Sequence, residues 1–157
     1  MGIKLKTEQC YCVNFRRAAR AVTVYYDRAM LRSGITVSQY SLLMNLLRTA
    51  PCTVTVLAKT MRLDRTTLLR NIKPLAERGL VRDMAKLGGR DRRLTVTKKG
   101  AATLDAAQRL WEKAQAGLKA HIGKAGFAGL MRTVARLEEL PHCSPQRRSP
   151  EKKAFFS

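Results

Sequence analysis

Apolar residues recur at intervals of three and four along most of this chain, the spacing of helices that bury one face. Over the first 61 residues, the pattern predicts three helices, at 7–32, 39–48 and 53–61. The first carries one apolar stripe, made of Cys12, Phe15, Ala19, Val22, Tyr26 and Met30. Ser38 is the predicted cap of the second helix, which Pro51 stops, and Thr53 or Thr55 caps the third.

A fourth helix is predicted over residues 64–79, where Asp64 is the cap, Gly79 the end and Pro74 an interior residue. At about 100° per residue, one arc is apolar and is expected to pack. It consists of Leu68, Leu69, Ile72, Leu75, Ala76 and Gly79. The other arc is polar and basic and faces outwards, with Thr66, Thr67, Arg70, Asn71, Lys73, Pro74 and Arg78.

A β-hairpin follows, because residues 80–85 and 93–97 are β-type runs on either side of the glycine turn "KLGGRD". A long helix then begins at Lys98, with Leu104, Ala107, Trp111, Ala114, Leu118 and Ile122 on one face. After "GKAG" a last helix carries Phe127, Leu130, Met131, Val134 and Leu137. The order predicts a mainly α (α+β) winged helix-turn-helix, followed by a loose basic tail at 141–157.

The net charge of the chain indicates a polyanionic partner. The chain has 31 Lys and Arg against 11 Asp and Glu, a formal net charge of +20. Residues 53–100 hold a net +9, whereas residues 101–140 hold only +2. An excess of this size attracts a polyanion, and its position directs that attraction to the fourth helix and the hairpin.

The fourth helix is predicted to carry side chains of the types that read DNA. A major groove about 12 Å wide admits a helix whose N-terminal residues reach the base edges. Arg pairs with guanine, Asn with adenine, and Thr contacts a thymine methyl or a phosphate. The predicted DNA-binding residues of this helix are Arg65, Thr66, Thr67, Arg70, Asn71 and Lys73.

The segments "ITVSQYSLLMNL", "VTVLAKTMRLDRTTLLRNIKPLAERGLVRD" and "LTVTKKG" resemble the MarR family of bacterial transcription regulators. The resemblance runs from about residue 10 to 140 and is most specific over residues 57–100. It implies a homodimer whose first and last helices form the dimerisation region, with two winged domains on a pseudo-palindromic operator. The implied division is a dimerisation region at 1–36 and 101–140 and a winged domain at 37–100. The apolar stripes of the first, fifth and sixth helices fit a two-fold interface.

The family usually carries Asp-x-Arg in the wing, where the Arg enters the minor groove. Counting back from "TVT" places Gly88, Gly89 and Arg90 there, without the Asp; a shift of three gives Asp91, Arg92 and Arg93. Arg90 at the tip with Arg92 beside it is the favoured assignment, and both registers stay open.

The resemblance also implies control. Family members are commonly repressors that leave DNA when a small phenolic or aromatic acid binds or when a cysteine is oxidised. Cys12 matches the reactive cysteine of the organic-hydroperoxide regulators by its distance to "GITVSQY", and Tyr26 matches a tyrosine that contacts that thiol. Arg16 stands where the subgroup has its nearer tyrosine. The alternative is that Cys12 is a small buried hydrophobe of the apolar stripe.

Other classes of function have less support. The sequence has no nucleophile motif, phosphate loop or carboxylate pair, so we expect no enzyme and no cofactor. His121 and His142 are isolated, and Cys10 and Cys12 would point about 200° apart on one helix, so no metal site is expected. Neither a membrane span nor a signal peptide is evident, which predicts a cytoplasmic protein with reduced thiols. The main alternative is a nucleic-acid-binding protein without sequence preference; an interaction module that binds no nucleic acid is a third class.

Overall fold

A computed structural model of the protein describes residues 10–83 and 93–140. Six helices and three short strands lie in the described part of the chain. In order they are α1 (Tyr11–Ala29), α2 (Val37–Thr49), β1 (Cys52–Thr53), α3 (Val54–Thr60), α4 (Arg65–Glu77), β2 (Val81–Asp83), β3 (Arg93–Val96), α5 (Lys98–Ile122) and α6 (Lys124–Glu138). None of these helices is long and apolar enough to cross a membrane. The predicted helix order is confirmed.

The start of α2 corrects one prediction, because Thr36 and not Ser38 is its cap. The Thr36 hydroxyl accepts the backbone N–H of Gln39 at 3.2 Å, and the Gln39 side chain accepts the backbone N–H of Thr36 at 3.1 Å. This reciprocal pair is a capping box, whose Ser/Thr-x-x-Glu/Gln signature is present at Thr36 and Gln39. Asp27 of α1 accepts the next free N–H, that of Val37, at 2.7 Å. Three satisfied backbone donors therefore place the helix start two residues earlier than predicted.

The helix-turn-helix consists of α3, a short turn and α4. Thr53 caps α3 by accepting the N–H of Val56, which settles the choice between Thr53 and Thr55. Asp64 caps α4 as predicted, and α4 continues through Pro74. Gly79 follows its C-terminus at a φ of 71°, a left-handed conformation that glycine adopts without strain.

The sheet has the order β1-β3-β2, and both pairings are antiparallel. Val81 lies opposite Val96 and Asp83 opposite Leu94, which confirms the two strands predicted for the hairpin. The strand β1 was not predicted, because two residues are too few to show a period. The hairpin turn, with Arg90 and Arg92, lies outside the described residues.

The core of residues 10–118 lies where α2, α3, α4 and the sheet meet. Its fully buried side chains are Met30, Leu42, Leu43, Leu46, Leu57, Leu68, Leu75 and Leu80. Leu104 and Ala107 of α5 join them, and Trp111 stacks on Tyr40 of α2 with ring centres 5.6 Å apart. These three residues confirm much of the predicted apolar face of α5, and α4 packs on the same core through its contacts with α2 and α3.

The first helix differs from the others, since most of its apolar stripe is exposed. Cys12, Phe15, Ala19 and Val22 are exposed, and Tyr26 is the one buried residue of α1. The Tyr26 hydroxyl donates to Gln115 Oε1 at 2.5 Å, and the Tyr25 hydroxyl to the Ala114 carbonyl at 3.3 Å. The C-terminal end of α1 is thus fastened to α5. The predicted end at Arg32 was three residues too late, because the helix gives way to a 3₁₀ turn after Met30.

The second compact unit, described over residues 119–140, contains the end of α5 and all of α6. Gly123 separates the two helices at a φ of 79°. The Lys119 ammonium lies 6.0 Å from the centre of the Phe127 ring, a cation–π distance. Leu130, Met131 and Leu137 of the predicted apolar face are exposed. The predicted tail, 141–157, lies outside the described residues.

Candidate nucleic-acid interface

The outer ridge of α4 is formed by residues that recur at helical spacing opposite its buried side. Leu68, Ile72 and Leu75 are buried. The ridge diametrically opposite to them contains Thr66, Arg70, Lys73 and Glu77. Because the buried side is fixed by the core, the direction of the ridge is fixed as well.

Arg70 is exposed and makes no hydrogen bond or ion pair with another residue in the described parts of the chain. A guanidinium carries five N–H donors in a planar fork. All five are available to a partner, and the fork fits the two acceptors of a guanine edge or a phosphate. Asn71 lies next to Arg70 and is half-buried.

The first turn of α4 is organised by its cap. Asp64 Oδ1 accepts the backbone N–H of Thr67 at 2.8 Å, and Asp64 Oδ2 accepts the Thr67 hydroxyl at 2.5 Å. The bond from the Thr67 side chain, followed by the bond from its backbone, holds the pKa of Asp64 below its ordinary value. The Thr67 hydroxyl therefore points to the cap, whereas Thr66 is exposed on the ridge.

Arg65 lies on the flank of α4 and turns towards α3. Its Nη1 donates to the Thr55 hydroxyl oxygen at 3.3 Å, and both residues are exposed. The guanidinium of Arg65 is thus held at the junction of the two helices of the helix-turn-helix.

Lys73 has an acidic neighbour on the same ridge. Its Nζ is 3.9 Å from Glu77 Oε1, and the two side chains are 77% and 62% exposed. An exposed pair at this spacing contributes only about 0.3 to 0.5 kcal/mol. A phosphate can therefore replace Glu77 as the partner of Lys73 at small cost.

Three residues of the predicted packing arc are exposed, namely Leu69, Ala76 and Gly79. Leu69 and Ala76 line a surface cleft of about 290 Å³ whose other walls include Val81 and Leu94 of the sheet. The prediction was too wide because it assumed neighbours around the whole apolar arc of α4. Leu69 and Ala76 lie at the edge of that arc, beside the cleft, and Gly79 follows the C-terminus of α4.

The strands of the wing carry two exposed cations: Arg82, which was not singled out in the sequence, and Arg93, which belongs to the alternative wing register. Arg82 follows buried Val81 on β2, and Arg93 precedes buried Leu94 on β3. A basic residue next to an apolar one in a β-type run was the signal available for Arg82, but the glycine turn led the prediction to the tip instead. The predicted tip residues Arg90 and Arg92 lie outside the described residues.

The predicted sensing residues occupy different environments on α1. Cys12 is exposed near the start of the helix, so its alternative interpretation as a buried hydrophobe does not hold within one chain. Tyr26 is buried, and burial, followed by the influence of Tyr25, raises the pKa of Tyr26. With a rise of about 1.5 Å per residue, the two lie about 21 Å apart along one helix. Within one chain they cannot touch.

Cys10 precedes α1 as its N-cap residue, in an extended conformation with a ψ of 106°. The expectation that Cys10 and Cys12 diverge by about 200° assumed that both lie in the helix, and that assumption is wrong. Both thiols are exposed.

Comparison with known proteins identifies the family. The sequence model of the MarR family matches residues 33–93. The M. tuberculosis transcriptional regulator MosR is 36% identical over 83% of this chain and 93% of its own, with a TM-score of 0.70. The chain belongs to the MarR family. MosR in complex with DNA is 38% identical over 82% of this chain and 93% of its own, with a TM-score of 0.72.

A more distant structure shares the fold. The transcriptional repressor CouR, bound to p-coumaroyl-CoA, is 21% identical over 89% of this chain and all of its own, with a TM-score of 0.78. The comparison with curated protein sequences gave no significant match. This MarR-family chain has the winged helix-turn-helix of its relatives, which are transcriptional regulators, and α4 occupies the position of its second helix.

Proposed function

We propose that this MarR-family regulator binds DNA sequence-specifically by placing the outer ridge of α4 in the major groove. The observation that carries the proposal is Arg70, an exposed and uncommitted guanidinium on a ridge fixed by the buried stripe behind it. Thr66, Arg70 and Asn71 contact base edges, and Lys73 contacts a phosphate. Arg65 and Thr67 complete the DNA-contacting set on the first turn. MosR, a relative at 38% identity, has been solved with DNA, which supports the proposal.

The wing extends this contact to the neighbouring minor groove. Arg90 and Arg92 are its proposed DNA-binding residues, with Arg90 at the tip. The narrow minor groove has an enhanced negative potential that attracts arginine. The exposed cations Arg82 and Arg93, on the strands that lead to the tip, support a basic path in this direction.

A homodimer is the proposed functional form, with residues 1–36 and 101–140 as the dimerisation region and residues 37–100 as the winged domain. Tyr11 is 80% exposed and Phe15 46% exposed, on a helix whose N-terminal half buries none of its side chains. Exposed apolar surface of this kind marks contact with a partner chain. An isologous interface would cover the same helix of both chains. Two winged domains would then meet a pseudo-palindromic operator.

Phe15→Glu is expected to shift the protein from dimer to monomer, because a carboxylate buried in an apolar interface lacks a partner. Arg17→Glu is the matched control: it adds an acid to the same helix about 200° away from Phe15. Light scattering during size exclusion measures the mass of each variant. A Phe15→Glu protein that remains dimeric at micromolar concentration would contradict the proposed interface.

Release from DNA is the proposed form of control, and the protein acts as a cytoplasmic repressor. One route is a small aromatic or phenolic effector. CouR, a repressor of this fold, has been solved with p-coumaroyl-CoA, an aromatic thioester, which supports this route. The other route is oxidation of Cys12, which is exposed. Its sulfur would take one oxygen from a hydroperoxide to give a sulfenic acid and leave the alcohol.

Cys12→Ser is expected to abolish release from DNA by organic hydroperoxide, because serine cannot form the sulfenic acid. Cys10→Ser is the matched control, since that thiol is exposed two residues away. Both variants are measured by fluorescence anisotropy on labelled DNA before and after peroxide. Release by Cys12→Ser at the rate of the wild type would exclude Cys12 as the sensor.

A competition experiment tests the proposed function as a whole. A duplex selected from a random library by the wild-type protein is compared with a shuffled duplex of the same composition at one salt concentration. A regulator is expected to prefer the selected duplex by about 10³ or more. Equal affinity for both would favour the alternative, a nucleic-acid-binding protein without sequence preference.

A further inference from the structure

Thr55 uses its hydroxyl group differently from other helical threonines of this protein. Five of them donate their O–H to the carbonyl four residues earlier in the same helix, namely Thr23, Thr49, Thr60, Thr103 and Thr133. Thr55 is the second residue of α3, so the residue four positions earlier is Pro51, which precedes the helix. Its oxygen instead accepts an N–H of Arg65. No residue in the described parts of the chain accepts the Thr55 hydrogen, which is left for another acceptor.

Arg65 faces α3 rather than the direction of the reading ridge. On α4 it lies about 100° around the helix from Thr66. Its guanidinium crosses the gap between the helices and gives one N–H to Thr55. Its remaining donors stay at the exposed surface, beside the free hydroxyl hydrogen of Thr55.

We infer that Thr55 and Arg65 together bind one phosphate of the DNA backbone, an inference that rests on the proposed function. In a helix-turn-helix the second helix enters the major groove while the first crosses the backbone. A cation held against the first helix therefore lies where phosphates pass. The non-bridging phosphate oxygens accept hydrogen bonds from both groups: the guanidinium supplies charge and the hydroxyl a neutral donor.

This pairing gives Arg65 a different role from Arg70. Arg70 is free to turn towards a base edge, whereas Arg65 is restrained by its bond to Thr55 at the border of the interface. Phosphate contacts set the register of a protein on DNA and carry no sequence information directly. Loss of the pair should therefore weaken binding to every duplex by the same factor.

Thr55→Val and Arg65→Gln test the pair in the full-length protein. Thr60→Val is the matched control, because that hydroxyl is exposed on α3 but donates to the Val56 carbonyl. Binding is measured by fluorescence anisotropy on the selected duplex and on the shuffled duplex over a range of salt concentrations. Melting temperatures equal to that of the wild type exclude a folding defect.

Thr55→Val is expected to weaken binding to both duplexes by about fivefold for each half-site, without changing the salt dependence of binding. Arg65→Gln is expected to weaken both and to lower the magnitude of the salt slope by about 0.9 for each phosphate that the protein no longer neutralises. Thr60→Val should bind as the wild type does, and Thr55→Ser, which retains a hydroxyl, should restore binding.

The inference is overturned if Thr55→Val binds both duplexes as tightly as the wild type. It is overturned equally if Arg65→Gln loses preference at a single base pair of the selected duplex while its salt slope is unchanged. A wild-type protein that binds both duplexes equally refutes the proposed sequence specificity alone, because the phosphate site is still measured on the shuffled duplex. A wild-type protein that binds neither duplex refutes both.

Discussion

Arg70→Ala is expected to weaken operator binding by about 1 to 3 kcal/mol for each half-site and to loosen preference at one base pair. The proposed dimer would contact two half-sites, so the loss would count twice. The physical reason is that the Arg70 guanidinium has no bond to give up within the described residues and would gain two on a base edge. Titration of a set of duplexes with single substitutions measures both effects.

Arg109→Ala is the matched control for Arg70→Ala. Arg109 is an exposed arginine on α5, away from the helix-turn-helix, so its loss removes the same charge from the whole protein. It should leave base preference unchanged. If Arg70→Ala weakens binding to every duplex by the same factor, as the removal of a phosphate-binding group would, Arg70 is not a base-reading residue.

Gly100→Ala is expected to lower the free energy of unfolding by about 2 kcal/mol. A Cβ at Gly100 would lie 2.2 Å from the Leu80 carbonyl oxygen and 2.8 Å from Val96 Cγ1. Overpacking costs about 1 to 3 kcal/mol, or more where backbone must move. The higher helix propensity of alanine offsets at most about 1 kcal/mol of that loss. The clash outweighs the propensity because the atom in the way is backbone and cannot rotate aside.

Gly129→Ala provides the control for this substitution. A Cβ there meets nothing within 4 Å among the described residues, so only the helix propensity changes. Gly129→Ala is expected to raise the free energy of unfolding by up to about 1 kcal/mol. Urea unfolding of the variants at one protein concentration measures the differences. A Gly100→Ala protein as stable as Gly129→Ala would show that α5 can move away from Leu80.

The sequence was most informative where a period or a cap has a direct physical cause. The helix order, the Asp64 cap and the two hairpin strands follow from the spacing of buried residues and from unsatisfied backbone donors. Thr36 was missed because Ser38 was considered without the residues around it, although Gln39 completes the capping box with Thr36. The strand β1 has only two residues and depends on its partner β3, which no local pattern can reveal.

The candidate site was predictable in composition and less so in geometry. The exposed ridge of α4 follows from one helical wheel, and so does the position of Arg70. The bond from Arg65 to Thr55 joins residues ten apart in sequence, and it depends on how the turn between α3 and α4 closes. The burial of Tyr26 and the exposure of Cys12, both on one predicted stripe, depend on where α5 ends its contact with α1.

Trp111 is the only tryptophan of the chain, and it stacks on Tyr40 with an angle of 27° between the ring planes. Tyr40 belongs to α2 and Trp111 to α5. When the unlabelled protein is excited at a wavelength that tryptophan absorbs selectively, its emission therefore comes from one known junction of two helices. Any event that slides α2 against α5 would change the intensity or colour of that emission, which makes the protein its own optical reporter of internal motion.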